Sequence, residues 1–337
     1  MAKNILEGED ILIEEFKKES NYVLVTMEEP YSIIQECLNP KHVIFNYDMS
    51  EENLMKLASN NIEGDVIYGF GGGTACDTAK YLATKWNRPL IITPSVISVD
   101  AWLCKQIAIR TNGRVRYIDG IKPDKFILDY SIIRKGPGLL NKAGVSDVLS
   151  ITTALGDWNI SRRVFGDRFD ISYYNAAYNI AKTLLSREKD ISELSTEGLR
   201  SIVMGQVEEV ILCEEWGNSR PEEGGEHFLA YCLEEITKKH YIHGLLIALN
   251  IIVVLKLQRD EAVFDYESIY QFYKNIGLDI SPQKQGITEE EYRKTLLATP
   301  RYVKEENLFN GIFSLKSIYD SKGEYSVNEI VDWVFSL

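Results

Sequence analysis

The stretch Asp65–Tyr81, DVIYGFGGGTACDTAKY, decides the fold. Asp65–Gly69 is short and rich in β-branched and aromatic residues, the composition of a strand. From Thr74 to about Trp86, Ala75, Thr78, Ala79 and Leu82 recur at helical spacing. Gly71, Gly72 and Gly73 therefore occupy a strand-to-helix turn. Such a turn aims unpaired backbone N–H groups and the positive end of a helix dipole at the space above a sheet, and glycine lets phosphate oxygens approach the backbone. On these residues alone two readings stay open, a phosphate cradle and plain turn chemistry.

Upstream, Tyr22–Thr26 (YVLVT) and His42–Asn46 (HVIFN) are strand-like, with helical stretches at Tyr31–Leu38 and Glu51–Ser59. Downstream lie Pro89–Thr93 (PLIIT) and Lys125–Asp129 (KFILD). Strands alternating with helices predict βαβ units and a mostly parallel sheet over residues 1–135, with ligands at the carboxyl ends of the strands. The usual dinucleotide fingerprint, G-x-G-x-x-G, follows the first strand. Here the spacing is G-x-G-G-G and the glycines follow what reads as the third strand, so a dinucleotide would bind in a different arrangement of parallel strands.

After Gly136-Pro137-Gly138, a natural hinge, strand patterns largely vanish. Ala143–Ser161, Ser172–Ser186, Thr196–Glu215, Glu226–Thr237, Ile242–Leu257 and Glu267–Ile276 read as helices, with shorter ones from Glu289. The expected architecture is a Rossmann-like α/β dinucleotide-binding domain over 1–135 and an all-α metal- and substrate-binding domain over 136–337. The charged stretch Ser186–Glu197 reads as a solvated loop. Gly244–Leu257, interrupted by Asn250, is too short to span a bilayer comfortably and reads as a buried helix.

Two domains also suit 337 residues, more than one core usually serves. With 50 acidic against 37 basic residues, a formal charge of -13 and no Lys/Arg block, nucleic acid and anionic membrane are not expected partners. The five cysteines are scattered without a C-x-x-C pair, which fits reduced thiols. The acidic N-terminal stretch shows no export signal, and a cytoplasmic location is expected.

Chemistry concentrates in three residues. His227 (EGGEHFLAY) and His243 (YIHGLLIAL) frame one segment, separated by enough chain for one helix to end and another to begin. Asp147 lies in the otherwise apolar AGVSDVLS, where an unpaired carboxylate would be costly. One Asp and two His suit a catalytic divalent metal with an open position for a substrate oxygen. Spacing equally allows Asp147 as a first-turn helix residue and the histidines as loop or core residues.

The order GDVIYGFGGGTACDTAKYLA, IITPSVISVDAW, KAGVSDVLSITTALGDW, EGGEHFLAY, HG resembles the glycerol-1-phosphate dehydrogenase group of the iron-containing alcohol dehydrogenase and 3-dehydroquinate synthase superfamily. The tail GITEEEYRKTLLATPRYVKEENLFNGIF resembles the end of those enzymes. The resemblance implies that Gly71, Gly72, Gly73, Thr74 and Ala75 cradle the pyrophosphate of NAD or NADP. Ser95 and Ser98 match a segment reaching towards the nicotinamide, and Asp100 matches a substrate-binding aspartate. Asp147, His227 and His243 match the metal ligands, usually zinc in this branch, with iron or nickel as alternatives; Asp147 would also lie beside substrate.

Departures fall on the substrate side. Ser98-Val99-Asp100-Ala101 stands where the group reads S-H-D-G, and Cys104 replaces a serine near the cofactor. Tyr231 replaces a substrate-contacting histidine, and Leu245 replaces the glutamate of H-G-E. The implied function is a metal-dependent NAD(P)H oxidoreductase interconverting a carbonyl and an alcohol on a small, phosphorylated, polyol-like substrate. Alternatives are a carbocycle-forming lyase like 3-dehydroquinate synthase, with recycled NAD, and a catalytically inactive nucleotide-binding homologue. No arginine lies close in sequence to Thr26, Asn46 or Asp48 to receive a 2′-phosphate, which favours NAD. The resemblance also implies a homo-oligomer, and a cleft between the domains is expected to keep water from the hydride path.

Overall fold

The computed structural model describes residues 4–112 and 114–337. The chain forms two compact units, Met1–Asn141 and Lys142–Leu337. The first contains β1 (Ile5–Gly8), α1 (Leu12–Phe16), β2 (Tyr22–Thr26), α2 (Glu28–Ile34), β3 (His42–Phe45), α3 (Glu51–Ser59) and β4 (Val66–Gly71). After these come α4 (Gly73–Trp86), β5 (Leu90–Pro94), β6 (Gln106–Thr111), β7 (Arg114–Asp119), β8 (Lys125–Asp129) and α5 (Tyr130–Lys135). Six strands form one sheet in the order β1-β8-β5-β4-β2-β3, and every pairing in it is parallel.

The central strands β2, β4 and β5 are buried along their length, as continuous apolar runs require when both faces of a parallel sheet are covered. Phe16, Tyr22 and Tyr68 stack at 4.7–5.5 Å on one face. From β2 the chain steps outward to β3, then returns to lay β4 on the other side of β2 and β5 beyond it. The direction of winding thus reverses between β2 and β4, the topological switch point at which such sheets bind ligands. The glycine turn lies at the carboxyl end of β4.

Two features of the first unit differ from the sequence reading. Ile5–Gly8 is a strand paired with β8, so the glycines follow the fourth strand of the chain. It is only four residues long and sits at the sheet edge, too short for periodicity to reveal. Gln106–Thr111 and Arg114–Asp119 pair as an antiparallel two-stranded sheet, β6 and β7, outside the parallel one; the dipeptide Asn112-Gly113 between alternating residues is its sequence signal.

The second unit begins within α6 (Gly138–Ala143) and continues through α7 (Val145–Leu149), α8 (Ile151–Ile160), α9 (Ile171–Leu185), α10 (Glu188–Ser192) and α11 (Thr196–Trp216). It ends with α12 (Gly225–Thr237), α13 (His243–Gln258), α14 (Tyr266–Asn275), α15 (Glu289–Glu305) and α16 (Val327–Ser336). Helix α13 is its axis, buried at every residue from Gly244 to Gln258, with α7, α8, α12 and α14 packed on it. A helix apolar all round must be buried all round. Its mid-helix polar residue, Asn250, is satisfied: Nδ2 donates to the Glu226 carbonyl at 2.9 Å and Oδ1 accepts from the Tyr292 hydroxyl at 3.0 Å.

The stretch Ser186–Glu197 is not simply a solvated loop, because α10 forms within it. Ile191 is fully buried, and a Cβ on Gly198 would fall 2.1 Å from the Asp190 carbonyl oxygen, so the glycine is what lets α11 pass so close. No helix among the described residues is long and apolar enough to cross a membrane.

Candidate functional site

The expected site residues fall into two groups, one in each unit. In the first, β4 runs through Gly71, whose φ of +152° belongs to glycine, and a Cβ there would lie 2.7 Å from Ala75 Cβ. Helix α4 follows, with Gly72 at its N-cap and no acid in its first turn. Gly72 has no side-chain oxygen to offer the first-turn N–H groups, and nothing anionic competes for them, which are the conditions an incoming phosphate needs. Thr74 and Ala75 lie in that turn. Ser95 is buried beside it, its N–H donating to the Gly71 carbonyl at 3.0 Å.

Ser98, Asp100 and Cys104 belong to the segment after β5 and are partly exposed. A Cβ on Gly73 would lie 3.0 Å from Val99 Cγ2 and 3.5 Å from Ala101 Cβ, so the residues flanking Asp100 pack directly on the start of α4. Trp102 is buried edge-on to Phe126 of β8, with ring centroids 5.6 Å apart.

In the second unit, one ligand atom from each of Asp147, His227 and His243 comes within 4.8 Å of the others. All three sit in the first turns of helices, on α7, α12 and α13. Asp147 Oδ1 is 3.2 Å from His243 Nε2, and the two imidazole centroids are 5.2 Å apart. Gly244 makes this approach feasible, since a Cβ there would lie 2.4 Å from the Ala143 carbonyl oxygen. Asp147 and His227 are buried, whereas the His243 side chain is 32% exposed and marks the open side of the cluster.

Around these ligands lies a shell of carboxylates that sequence reasoning missed. Glu226, wholly buried, accepts from His227 Nδ1 at 2.8 Å and from the Gly224 N–H at 2.9 Å, and its other oxygen accepts from the Thr153 hydroxyl. With Nδ1–H engaged, Nε2 of His227 is the nitrogen left with a lone pair for a cation, the usual carboxylate–histidine–metal relay. Asp157 of α8 accepts from the N–H of Gly225 at 2.8 Å, the N–H of Ile312 at 2.9 Å and Gln258 Nε2 at 2.8 Å. It thereby fixes the start of the helix that carries His227. The apparent loneliness of Glu226 and Asp157 in sequence, where they precede a histidine and follow an apolar run, gave no hint of this.

The electrostatics point the same way. Burial alone would push His227 down, but its hydrogen bond to Glu226 and the charges of Glu226, Glu223 and Asp147 push it up to about 10. The neighbouring carboxylates thus favour positive charge at the cluster, and one carboxylate with two imidazoles could hold a divalent metal ion. Burial pushes Asp157 up to about 6 against the opposing influence of Arg220, the Ile312 N–H and Gln258.

Of the departures, Tyr231 does lie at the cluster: its ring is 5.9 Å from that of His227, and its hydroxyl donates to Glu223 Oε1 at 2.9 Å. Leu245 is buried in α13.

Comparison with known proteins bears on the family and the fold. A family model described as iron-containing alcohol dehydrogenase matches residues 30–137. The glycerol-1-phosphate dehydrogenase [NAD(P)+] of Thermoplasma volcanium is 27% identical over 304 residues, covering 86% of this chain and 85% of the relative. Glycerol dehydrogenase from Schizosaccharomyces pombe superposes with a TM-score of 0.70 at 20% identity, covering 98% of this chain and 88% of that one. Sulfoacetaldehyde reductase from Bifidobacterium kashiwanohense, solved with NAD+, gives 0.69 at 15% identity over 99% and 96%. Over most of its length the chain is thus similar to glycerol-1-phosphate dehydrogenases, and over residues 30–137 to the iron-containing alcohol dehydrogenase family.

Proposed function

We propose that the protein is a metal-dependent NAD(P)H oxidoreductase that interconverts a carbonyl and an alcohol on a small phosphorylated polyol, with zinc as the metal and NAD as the preferred cofactor. The observation that carries this reading is the approach of Asp147, His227 and His243 ligand atoms to within 4.8 Å. A divalent cation held there would supply Lewis acidity at the substrate oxygen.

The protein's own residues do the rest. Glu226 keeps the Nδ1 proton of His227 and so presents Nε2 as a donor. The burial of Asp147 and His227 keeps water from that side of the cluster, while half-open His243 leaves a way in. The bare N-terminus of α4 takes the pyrophosphate, Ser95 and Ser98 lie towards the nicotinamide, and Asp100 binds substrate hydroxyls. Tyr231, held by Glu223, shapes the substrate side in place of the group's histidine.

The test is to purify the protein, measure bound metal, and follow NADH and NADPH absorbance with dihydroxyacetone phosphate and a panel of phosphorylated and free aldehydes and ketones. Stoichiometric consumption of NAD(P)H is expected, which a carbocycle-forming lyase would not show. Absence of turnover on the whole panel after zinc, nickel or iron has been supplied overturns the reading. Sedimentation should show a homo-oligomer.

A further inference from the structure

Helix α4 carries a buried ion pair that the proposed chemistry does not use. Asp77 is 4% exposed and Lys80 not at all, and Lys80 Nζ lies 2.7 Å from Asp77 Oδ1. An ammonium has three protons to place. The other two go across to the segment after β5: Nζ donates to the Cys104 carbonyl at 3.0 Å and to the Gln106 carbonyl. The second oxygen of Asp77 accepts from the Ala108 N–H at 3.0 Å. Burial by itself would push Lys80 down, but Asp77 and Cys104 hold it above the ordinary lysine value, so the ammonium stays charged.

The pair therefore ties α4 to residues 104–108, immediately after Asp100. The neighbouring backbone is continuous with this tie, because the N–H groups of Leu103 and Cys104 donate to the Asp100 carbonyl at 2.7 and 3.3 Å. At the other end, Val99 and Ala101 rest on Gly73. One side of the segment is held by close packing on the first turn of α4, the other by a charge two turns along the same helix. On its other side this end is paired in the hairpin, Gln106 with Asp119, while the Lys105 and Gln106 side chains are exposed.

We propose that Lys80 is a positioning residue: with Asp77 it clamps the Asp100 segment onto the cofactor helix, so that the helix receiving the pyrophosphate also sets the place of the substrate aspartate. The choice of a buried charge over an apolar contact has a physical reason. Backbone carbonyls at the end of a segment need donors, and a lysine reaching from a helix offers three in one atom, whereas a methyl group would leave them unsatisfied. The inference rests on the proposed function only in taking Asp100 as the substrate residue.

Removing the lysine alone leaves Asp77 buried and unpaired, which is strongly destabilising. The informative variant is the neutral pair Asp77→Asn/Lys80→Met, compared with Lys80→Met and wild type as full-length, metal-loaded protein. Hydrogen exchange should accelerate in peptides covering 100–110 while peptides covering β4 and β5 keep wild-type protection. The kcat/KM for the carbonyl substrate should fall about 10- to 100-fold through misplacement, carried mostly by KM, with NADH affinity measured by fluorescence and metal content unchanged.

Unaltered exchange at 100–110, or acceleration spread equally over β4 and β5, overturns the clamp. Altered exchange with wild-type KM and kcat overturns its role in placing substrate. Should the wild type turn over nothing on the panel, the functional reading fails, and the exchange measurement still decides whether Lys80 holds the segment.

Discussion

Helices α4 and α12 begin alike and end up with opposite preferences. Each has a glycine at the N-cap, Gly72 or Gly224, and another glycine as its first helical residue. A bare helix N-terminus of this kind attracts anions. At α4 nothing intervenes: the first turn has no acid, and the turn can take phosphate. At α12 the N–H groups of Gly224 and Gly225 are already occupied by Glu226 and Asp157, two buried carboxylates. Once those N–H groups are taken, surplus negative charge surrounds His227 and the same motif becomes a place that could hold a cation. A local motif offers donors, and its neighbours decide what receives them.

The sharpest way to break this contrast is to remove the candidate metal ligands. Asp147→Asn or His227→Ala should abolish metal retention, read by elemental analysis, and lower kcat/KM by ~10³-fold or more, the loss of several kcal/mol of charge stabilisation. NADH affinity at α4 should stay at the wild-type value. Wild-type metal content in either variant would end the assignment.

A pH series tests whether Asp157 is the carboxylate that fixes α12. Its folded value of about 6 lies above that of an unfolded carboxyl group. Between those values the folded protein holds a proton that the unfolded chain has released. The stability due to this group is therefore full at acid pH and lost as pH rises through the window. The unfolding free energy of wild type minus that of Asp157→Asn should fall by ~2–3 kcal/mol between pH 4 and pH 7. A pH-independent difference would contradict it.

A smaller effect is expected from Glu226→Gln, which keeps the shape but weakens the hold on Nδ1 of His227. Zinc affinity by chelator competition should drop ~10- to 100-fold. An unchanged affinity would make Glu226 a bystander. Smallest is the counterpart on the other helix: Gly71→Ala places a Cβ 2.7 Å from Ala75 and forces a glycine-only φ, so NADH should bind about 10-fold more weakly. Metal content should not change, and a variant that lost metal but kept NADH would invert the assignment of the two helices.

How much of this was legible beforehand varies with range. The apolar run and triple glycine of β4–α4 are local signals, and they placed a strand, a turn and a helix correctly to within two residues. Strand β1 and the β6–β7 hairpin were missed, the first because four residues at a sheet edge carry too little pattern. The turn of α10 was hidden because a single apolar residue, Ile191, pins it among charges.

Asp147, His227 and His243 could be named from the family resemblance, while their spacing left bland readings open. What settles their grouping as geometry is Gly244 against Ala143, a contact between residues a hundred positions apart. The sequence by itself determined the parallel sheet, the glycine turn and the helical second half, because each is written in periodicity or in an ordered motif, and the resemblance named Asp147, His227 and His243 as candidate ligands. Only the tertiary structure decided that Glu226 and Asp157 occupy the start of α12 and that Lys80 reaches the Asp100 segment. These are single polar side chains with no periodicity, and what they do is fixed by which distant backbone groups folding leaves in need of a partner.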